Sequence, residues 1–360
     1  MINIAKPQLG EEEKKAVLEV LDSGMIAQGP RVKAFEEEFA KMCGVKHAIA
    51  TTSGTTALHT ALLALGIHNG DEVITTPFTF IASANSILYT GGRPVFVDID
   101  PVSFNINPKL IEAAITERTK AIMPVHLFGL SCDMDPIMTI AKKYGLIVIE
   151  DACQSHGALY KGKRVGSFGC GAFSFYPTKN MTSAEGGMIT TDDDSTDEHC
   201  RVIRQHGMRR RYYHDELGFN FRMTDIHAAI GFEQLKKLEA NNKRRQANAS
   251  YLSANLKGII TPVIPQDYEH VFHQYTIRVP GGKRDKLRSW LQEAGIGSEV
   301  YYPVPVHKQS FYAGDLCYQG SYPEAERAAN EVLSIPVHPA LTQDDLNTIV
   351  NSVNQFMILN

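Results

Sequence analysis

Short apolar runs alternate with longer helical patterns in the first half of the chain, and this alternation constrains the fold more than any other feature. The runs are of strand length and occupy residues 73–74, 94–98, 121–125 and 146–151. Because they are apolar throughout, they are typical of strands that are buried on both faces of a parallel sheet. The sequence therefore predicts an α/β fold in which helices cover both faces of a mostly parallel central sheet.

Helical patterns fill the intervals between these runs and continue beyond them. They cover residues 108–117, 135–144, 226–256, 284–294 and 323–333, and a further strand-like run covers residues 273–279. The long pattern at 226–256 reads as a connecting helix that leads into a second unit. We predict a large domain over residues 1–240 and a smaller C-terminal α+β domain over residues 241–360, with residues 1–12 packing on the small domain.

The charge and hydropathy patterns exclude two classes of partner. Lys and Arg number 36 against 40 Asp and Glu, so the formal net charge is -4, which argues against binding to nucleic acid by phosphate neutralisation. No apolar run approaches the ~20 residues that a membrane helix needs. The N-terminus has no basic region followed by an apolar run, so we expect no signal peptide and a cytoplasmic protein.

The cysteines show no sign of a metal site. None belongs to a C-x-x-C pair, and zinc sites need closely spaced ligand pairs. We therefore expect no bound metal and six reduced, mostly buried thiols, at positions Cys43, Cys132, Cys153, Cys170, Cys200 and Cys317.

The residues that can carry chemistry follow the predicted strands. Asp151 ends one apolar run, and Lys179 follows a short aromatic run. Ligands of parallel sheets bind at the carboxyl ends of the strands. There, a lysine can form an imine with an aldehyde while a carboxylate keeps a pyridine nitrogen protonated, which is the arrangement of a pyridoxal phosphate enzyme. His126 also ends a run, but we interpret it as a structural histidine.

Such a cofactor also needs a phosphate site. Residues 52–58 form a turn of small residues that opens a helical pattern. Backbone N–H groups at a helix N-terminus bind phosphate, and hydroxyl groups beside them can assist. Taken alone, however, this segment is more typical of an ordinary Ser/Thr helix cap.

Several ordered segments together resemble the DegT/StrS-type sugar aminotransferases, which have the aspartate-aminotransferase fold, fold type I of the pyridoxal-phosphate-dependent transferases. The likeness spans about three hundred residues and is strongest from Glu150 to Gly187. The other segments that carry it are residues 29–30, 35–36, 53–58, 77–80, 218–223 and 302–307.

The resemblance implies a role for individual residues. Lys179 matches the lysine that binds the cofactor covalently and moves the proton, and Asp151 matches the partner of the pyridine nitrogen. Phe80 matches the residue stacked on the ring, and Gln154 matches a position beside the ring oxygen. The remaining cofactor-binding positions are Gly54, Thr55, Thr56 and Ser174, together with Asn220, which the family contributes across a homodimer interface.

The resemblance also implies the reaction. L-glutamate gives its amino group to pyridoxal phosphate, and the resulting pyridoxamine phosphate aminates a keto group of a nucleotide-linked sugar, in pathways to surface polysaccharide, lipid A or natural products. Gln154 favours amination at C3 over C4. Relatives with His in place of the lysine perform dehydration, which Lys179 disfavours here. Candidate substrate contacts are Arg209, Arg210, Arg211, Tyr302 and His307.

Two alternatives stay open. The same catalytic residues would serve an aminotransferase that acts on a cyclitol ketone or another keto-sugar acid. A different class of protein, a non-catalytic sensor, could keep the fold and the cofactor without turnover.

Overall fold

The computed structural model describes residues 1–316 and 318–359, so Cys317 lies outside the described residues. Its centre is a seven-stranded sheet in the order β1-β9-β8-β5-β4-β2-β3. The strands of this sheet are β1 (His47–Thr51), β2 (Glu72–Thr75), β3 (Arg93–Phe96), β4 (Thr119–Ile122), β5 (Ile147–Asp151), β8 (Cys170–Ser174) and β9 (Gly187–Thr191). Seven further strands are β6 (Leu159–Tyr160), β7 (Lys163–Arg164), β10 (Met208–Arg210), β11 (Tyr213–His214), β12 (Tyr268–Glu269), β13 (Tyr275–Arg278) and β14 (Val332–Ile335). They form the two-stranded sheets β10-β11 and β13-β14 and the three-stranded sheet β12-β6-β7.

The sheet is mostly parallel, as the sequence predicts. Strands β8, β5, β4, β2 and β3 run in one direction, while β9 is antiparallel to both of its neighbours, β8 and β1. As a result, six of the seven strands end at the same edge. The loops that follow them are therefore brought together there, although they are far apart in the sequence.

Ten α-helices occur in the described part of the chain. They are α1 (Glu11–Ser23), α2 (Pro30–Cys43), α3 (Gly54–Ala64), α4 (Ala82–Tyr89), α5 (Met134–Tyr144), α6 (Asp194–Arg204), α7 (Asp225–Asn255), α8 (Arg284–Glu293), α9 (Pro323–Glu331) and α10 (Gln343–Leu359). None of these described helices combines the length and the apolar character that crossing a lipid bilayer requires.

Helices cover both faces of the sheet. Successive residues of a strand point to opposite faces, and adjacent residues here join different clusters. Ile149 packs with α3 on one face, whereas its neighbour Val148 packs with α5 on the other. Likewise, the ring of Phe173 in β8 lies 5.0 Å from that of Phe39 in α2. Burial on both sides explains why the strand sequences are continuously apolar.

The long helix α7 connects the sheet to the C-terminal region. It begins after Thr224, whose hydroxyl accepts a hydrogen bond from the backbone N–H of His227, and it matches the predicted segment to within one residue at each end. Its second half packs in an apolar cluster with β13, β14 and the last three helices. Ile2 also reaches this region, because its backbone pairs with Gly295 and Gly297.

Two predicted helices are wrong in whole or in part. Residues 108–117 form two short 3₁₀ turns, Pro108–Leu110 and Glu112–Ala114. The chain leaves the helical path at Ile115 because the Thr116 hydroxyl donates to the Glu72 carboxylate on β2 at 2.6 Å. The predicted helix at 323–333 ends at Glu331, since the following residues pair with β13 as strand β14.

Candidate active site

A cavity of about 710 Å³ opens at the edge where the parallel strands end. Its walls come from the loops after β1, β2, β5 and β8, and from residues 299–302 of the C-terminal region. Such an edge is where open α/β sheets bind their ligands.

The N-terminus of α3 forms one end of the cavity. Ser53 caps the helix, accepting a hydrogen bond from the Thr56 backbone N–H, and Ser53, Gly54 and Thr55 face the space. A Cβ atom on Gly54 would lie 2.6 Å from Ser174 Cβ and 2.9 Å from Cys153 Sγ, so only glycine fits there. This end presents free N–H groups and the positive end of the helix dipole, which together suit a phosphate group.

Asp151 is fixed at the end of β5. Its Oδ2 accepts a hydrogen bond from Ser83 Oγ at 2.6 Å, and its Oδ1 accepts one from the Cys153 backbone N–H at 3.1 Å. The side chain is buried but lines the cavity. Sequence reasoning missed Ser83, which lies in α4. The sequence gives no signal for this residue, because its partners Thr79 and Asp151 both lie outside the helix that contains it.

Lys179 follows β8 and lines the same cavity as Asp151. Burial lowers the pKa of its ammonium group, while the nearby Cys153 thiol and Asp151 carboxylate act in the opposite direction. Among the described residues, no carboxylate oxygen lies within 4.0 Å of its Nζ. A lysine in such surroundings gives up its proton more readily than a solvated one and can act as a nucleophile or a base.

Gln154 and Tyr302 form the opposite wall. The Gln154 side chain accepts a hydrogen bond from the Phe128 backbone N–H at 2.9 Å and donates one to the Tyr302 hydroxyl at 3.1 Å. Phe80 lies beside them with its ring centroid 6.2 Å from that of Tyr302. More than half of the Phe80 side chain is exposed, so it offers a flat apolar face to a ring in the cavity.

A search against protein families matches residues 7–354 to the DegT/DnrJ/EryC1/StrS aminotransferase family. The chain belongs to this family. The resemblance seen in the sequence is therefore confirmed, and with it the fold and the activity of an aminotransferase.

The chain of this aminotransferase is also similar to individual proteins along most of its length. A pleiotropic regulatory protein of Geobacillus stearothermophilus is 46% identical over 97% of this chain and 95% of its own length. A UDP-N-acetyl-3-dehydro-alpha-D-glucosamine 3-aminotransferase of Acidithiobacillus ferrooxidans is 42% identical over 96% and 94%. The crystal structure of S. venezuelae DesV in complex with a ketimine intermediate superposes with a TM-score of 0.93, at 42% identity over 96% and 94% of the two chains. These comparisons confirm the prediction of a pyridoxal phosphate enzyme.

The structure of the aminotransferase brings most of the expected cofactor residues together. The cavity is lined by Gly54, Thr55, Phe80, Asp151, Gln154, Ser174 and Lys179. Thr56 differs, because its hydroxyl is held by Ser53, accepting from the Ser53 N–H and donating to the Ser53 carbonyl oxygen, each at 2.9 Å. Asn220 lies outside the cavity and is exposed.

The expected substrate residues of the aminotransferase are divided. Tyr302 lines the cavity, whereas His307 is buried, does not line it and bonds Glu326 through Nε2 at 3.2 Å. Arg209, Arg210 and Arg211 lie on or beside the exposed hairpin of β10 and β11, where the Arg210 guanidinium covers the Tyr213 ring at 3.6 Å. None of these three arginines lines the cavity of its own chain.

Two smaller expectations have different outcomes. His126 is structural, as expected: its Nδ1 accepts from the Cys132 N–H and its Nε2 donates to the buried Glu150 at 3.0 Å. Cys153, one of the thiols predicted to be mostly buried, is only partly buried and lines the cavity with Lys179. In the described residues, no group of three His, Cys, Asp or Glu side chains is arranged to hold a metal ion.

Proposed function

We propose that this aminotransferase transfers the amino group of L-glutamate to a keto group of a nucleotide-linked sugar, with pyridoxal phosphate held by Lys179 and Asp151. The observation that carries the proposal is that both side chains line one cavity whose far end is the N-terminus of α3. This places a nucleophile, a carboxylate and an anion site around a single space.

The residues fit the cofactor. Gly54, Thr55 and Ser174 would hold its phosphate, because the missing Cβ of Gly54 leaves the helix N-terminus accessible. Phe80 would cover one face of the ring, and Asp151 would face the ring nitrogen. When bound, pyridoxal phosphate supplies an aldehyde that takes up the amino group and a ring that withdraws electrons.

Lys179 would move the proton in both half-reactions. Because burial lowers the pKa of this lysine, its amine gives up a proton more readily than a solvated one and would serve to take a proton from the substrate carbon and return it elsewhere. Aromatic side chains such as Phe80 and Tyr302 line the same cavity. Both steps use the one side chain, so its removal stops the whole reaction.

The charge of the cavity supports a homodimer. Among the described residues that line it, the basic side chains are only Lys179 and His273. Three acidic side chains line it as well, namely Asp151, Glu185 and Glu299. Burial lowers the pKa of His273 well below its ordinary value, so that ring is neutral. The cofactor, glutamate and a nucleotide sugar are all anionic. We propose that a second copy brings Asn220 and the arginines Arg209, Arg210 and Arg211 to this cavity.

Sugar selection falls to the wall formed by Gln154 and Tyr302. Tyr302 is favoured over His307 as a direct sugar contact, because Tyr302 lines the cavity and His307 does not. Amination at C3 is the choice that we propose, on the presence of Gln154 and on the relative named as a 3-aminotransferase. Residues 241–360 would act as the smaller domain that closes over the sugar.

A direct experiment separates the three candidate functions. Full-length protein reconstituted with pyridoxal phosphate is given glutamate and then a panel of 3-keto and 4-keto nucleotide sugars and cyclitol ketones. We expect glutamate to bleach the yellow colour, and mass spectrometry to detect an aminated nucleotide sugar. If the protein aminates only a cyclitol ketone, the cyclitol rather than the nucleotide sugar is the substrate. Cofactor binding without bleaching or any product would instead indicate a sensor, a role that the regulatory name of one relative makes worth testing.

A further inference from the structure

Three buried side chains form a line of hydrogen bonds that ends on Asp151. Thr79 Oγ1 lies 2.9 Å from Ser83 Oγ, and Ser83 Oγ lies 2.6 Å from Asp151 Oδ2. Thr79 is 3% exposed, Ser83 1% and Asp151 6%, so water does not compete for these bonds. Thr79 lies in the loop before α4 and Ser83 lies in the first turn of that helix, and both residues line the cavity.

The line has a direction. A serine hydroxyl has a single proton, and the 2.6 Å contact to a carboxylate oxygen is shorter than the 3.2 Å contact between Ser83 Oγ and the Phe80 carbonyl oxygen. The proton therefore goes to Asp151, because charge-assisted hydrogen bonds are the shorter and stronger ones. Ser83 can then only accept from Thr79, so the hydrogen bonds run from Thr79 through Ser83 to Asp151.

Both oxygens of Asp151 are held in this way, since its Oδ1 also accepts from the Cys153 N–H. A carboxylate with one fixed contact can rotate about its Cβ–Cγ bond, whereas one fixed at both oxygens cannot. The acceptor sites that are left over then point in a set direction, and the side chain lines the cavity. The arrangement prepares the carboxylate before any ligand enters.

We propose that Ser83 is a positioning residue that aims the Asp151 carboxylate at the pyridine nitrogen of the cofactor, and that Thr79 fixes Ser83 in the donating orientation. This inference rests on the proposed function, because it needs the cofactor to bind in this cavity. Ser83 does not touch the reacting atoms. Ser83 should therefore affect the binding only of a ligand whose ring has a nitrogen that can interact with Asp151.

The experiment compares two cofactors on the cofactor-free, full-length chain. One is pyridoxal phosphate, and the other is its 1-deaza analogue, in which a C–H group replaces the ring nitrogen. Equilibrium binding is measured by fluorescence for the wild type and for Ser83→Ala, Ser83→Thr and Thr79→Val. Ser86→Ala is the matched control, because Ser86 is also buried in α4 but its hydroxyl donates to the Ser83 carbonyl oxygen rather than to Asp151.

We expect Ser83→Ala to weaken binding of pyridoxal phosphate about tenfold, the effect of losing one hydrogen bond to a charged group, and to change binding of the deaza analogue little. Thr79→Val has the same selectivity with a smaller loss, Ser83→Thr restores binding, and Ser86→Ala has no selective effect. Equal weakening of both cofactors by Ser83→Ala would overturn the positioning role. Failure of the wild type to bind pyridoxal phosphate would instead reject the proposed function.

Discussion

The Tyr302 hydroxyl accepts a hydrogen bond from Gln154 Nε2 at 3.1 Å across a separation of 148 residues. Gln154 is 6% exposed, and its oxygen is already held by the Phe128 N–H. This contact ties the loop after β5 to the C-terminal region. It also leaves the tyrosine proton free to be donated to a ligand in the cavity.

Tyr302→Phe is expected to destabilise the protein by about 1 kcal/mol, because a buried amide N–H loses its partner. When Tyr302→Phe is made in a protein that already contains Gln154→Leu, we expect it to cost less, since the Gln154 N–H that would lose its partner is already absent. Urea denaturation of the two single variants and the double variant measures this coupling. Tyr301→Phe is the control, as the Tyr301 hydroxyl makes no hydrogen bond to the described residues. Strictly additive effects in the double variant would show that the contact contributes nothing.

Gly54→Ala is expected to reduce stability by about 2 kcal/mol, as overpacking of a tight site does, and to weaken cofactor binding. The new methyl group would lie 2.6 Å from Ser174 Cβ, so the N-terminus of α3 must shift. Thermal denaturation and cofactor titration report the two effects. Gly314→Ala is the control, since a Cβ there would meet no atom of the described residues within 4 Å. Wild-type stability and affinity in Gly54→Ala would contradict the crowding seen here.

Lys179→Met is expected to stabilise the cofactor-free protein at pH 7. The folded state lowers the pKa of this lysine below its unfolded value of 10.5. At pH values between the folded and the unfolded pKa, the unfolded chain binds more protons than the folded one, so the stability of the wild type rises with pH. The advantage of Lys179→Met should therefore be largest at neutral pH and shrink as the pH approaches 10.5. Denaturation at pH 7 and pH 9.5 measures it, with the exposed Lys15→Met as control. An advantage that grows with pH would refute the lowered pKa.

Glu150→Gln is expected to cost about 3 kcal/mol, because it removes a buried charge that receives four hydrogen bonds. Burial acts to raise the pKa of this carboxyl, but the hydrogen bonds from the His126 ring and from the N–H groups of Gly166 and Gly169 lower it overall. The fourth donor is the Phe168 N–H at 2.8 Å. Chemical denaturation measures the free energy of unfolding of Glu150→Gln and of the control Glu117→Gln, in which an exposed glutamate is changed. A difference below about 1 kcal/mol between the two variants would contradict this prediction.

Much of the fold could be predicted because burial leaves a trace in the sequence. The strands of the sheet are apolar on both faces, and the residues that end them, such as Asp151, are polar. The helix expected at 108–117 failed because a contact outside the segment decided its end: the Thr116 hydroxyl bonds Glu72, which is 44 residues away. The local sequence pattern of a segment does not indicate a partner that lies so far away in the sequence.

The candidate site shows the same division. Lys179 and Asp151 belong to motifs that could be recognised along the chain. Ser83 could not, since a serine in an ordinary helix gives no sign of a carboxylate 68 residues away. The placement of His307 and Arg209 outside the lining of the cavity likewise depends on packing, which a linear motif does not describe.

The most direct test of the central claim identifies the lysine that binds the cofactor. Full-length protein is incubated with pyridoxal phosphate, the bond between cofactor and lysine is reduced with borohydride, and the digested peptides are mapped by mass spectrometry. We predict a phosphopyridoxyl group on Lys179, and no label in Lys179→Ala that folds like the wild type. Recovery of the Lys179 peptide unmodified, with the label absent or on another lysine, would contradict the account.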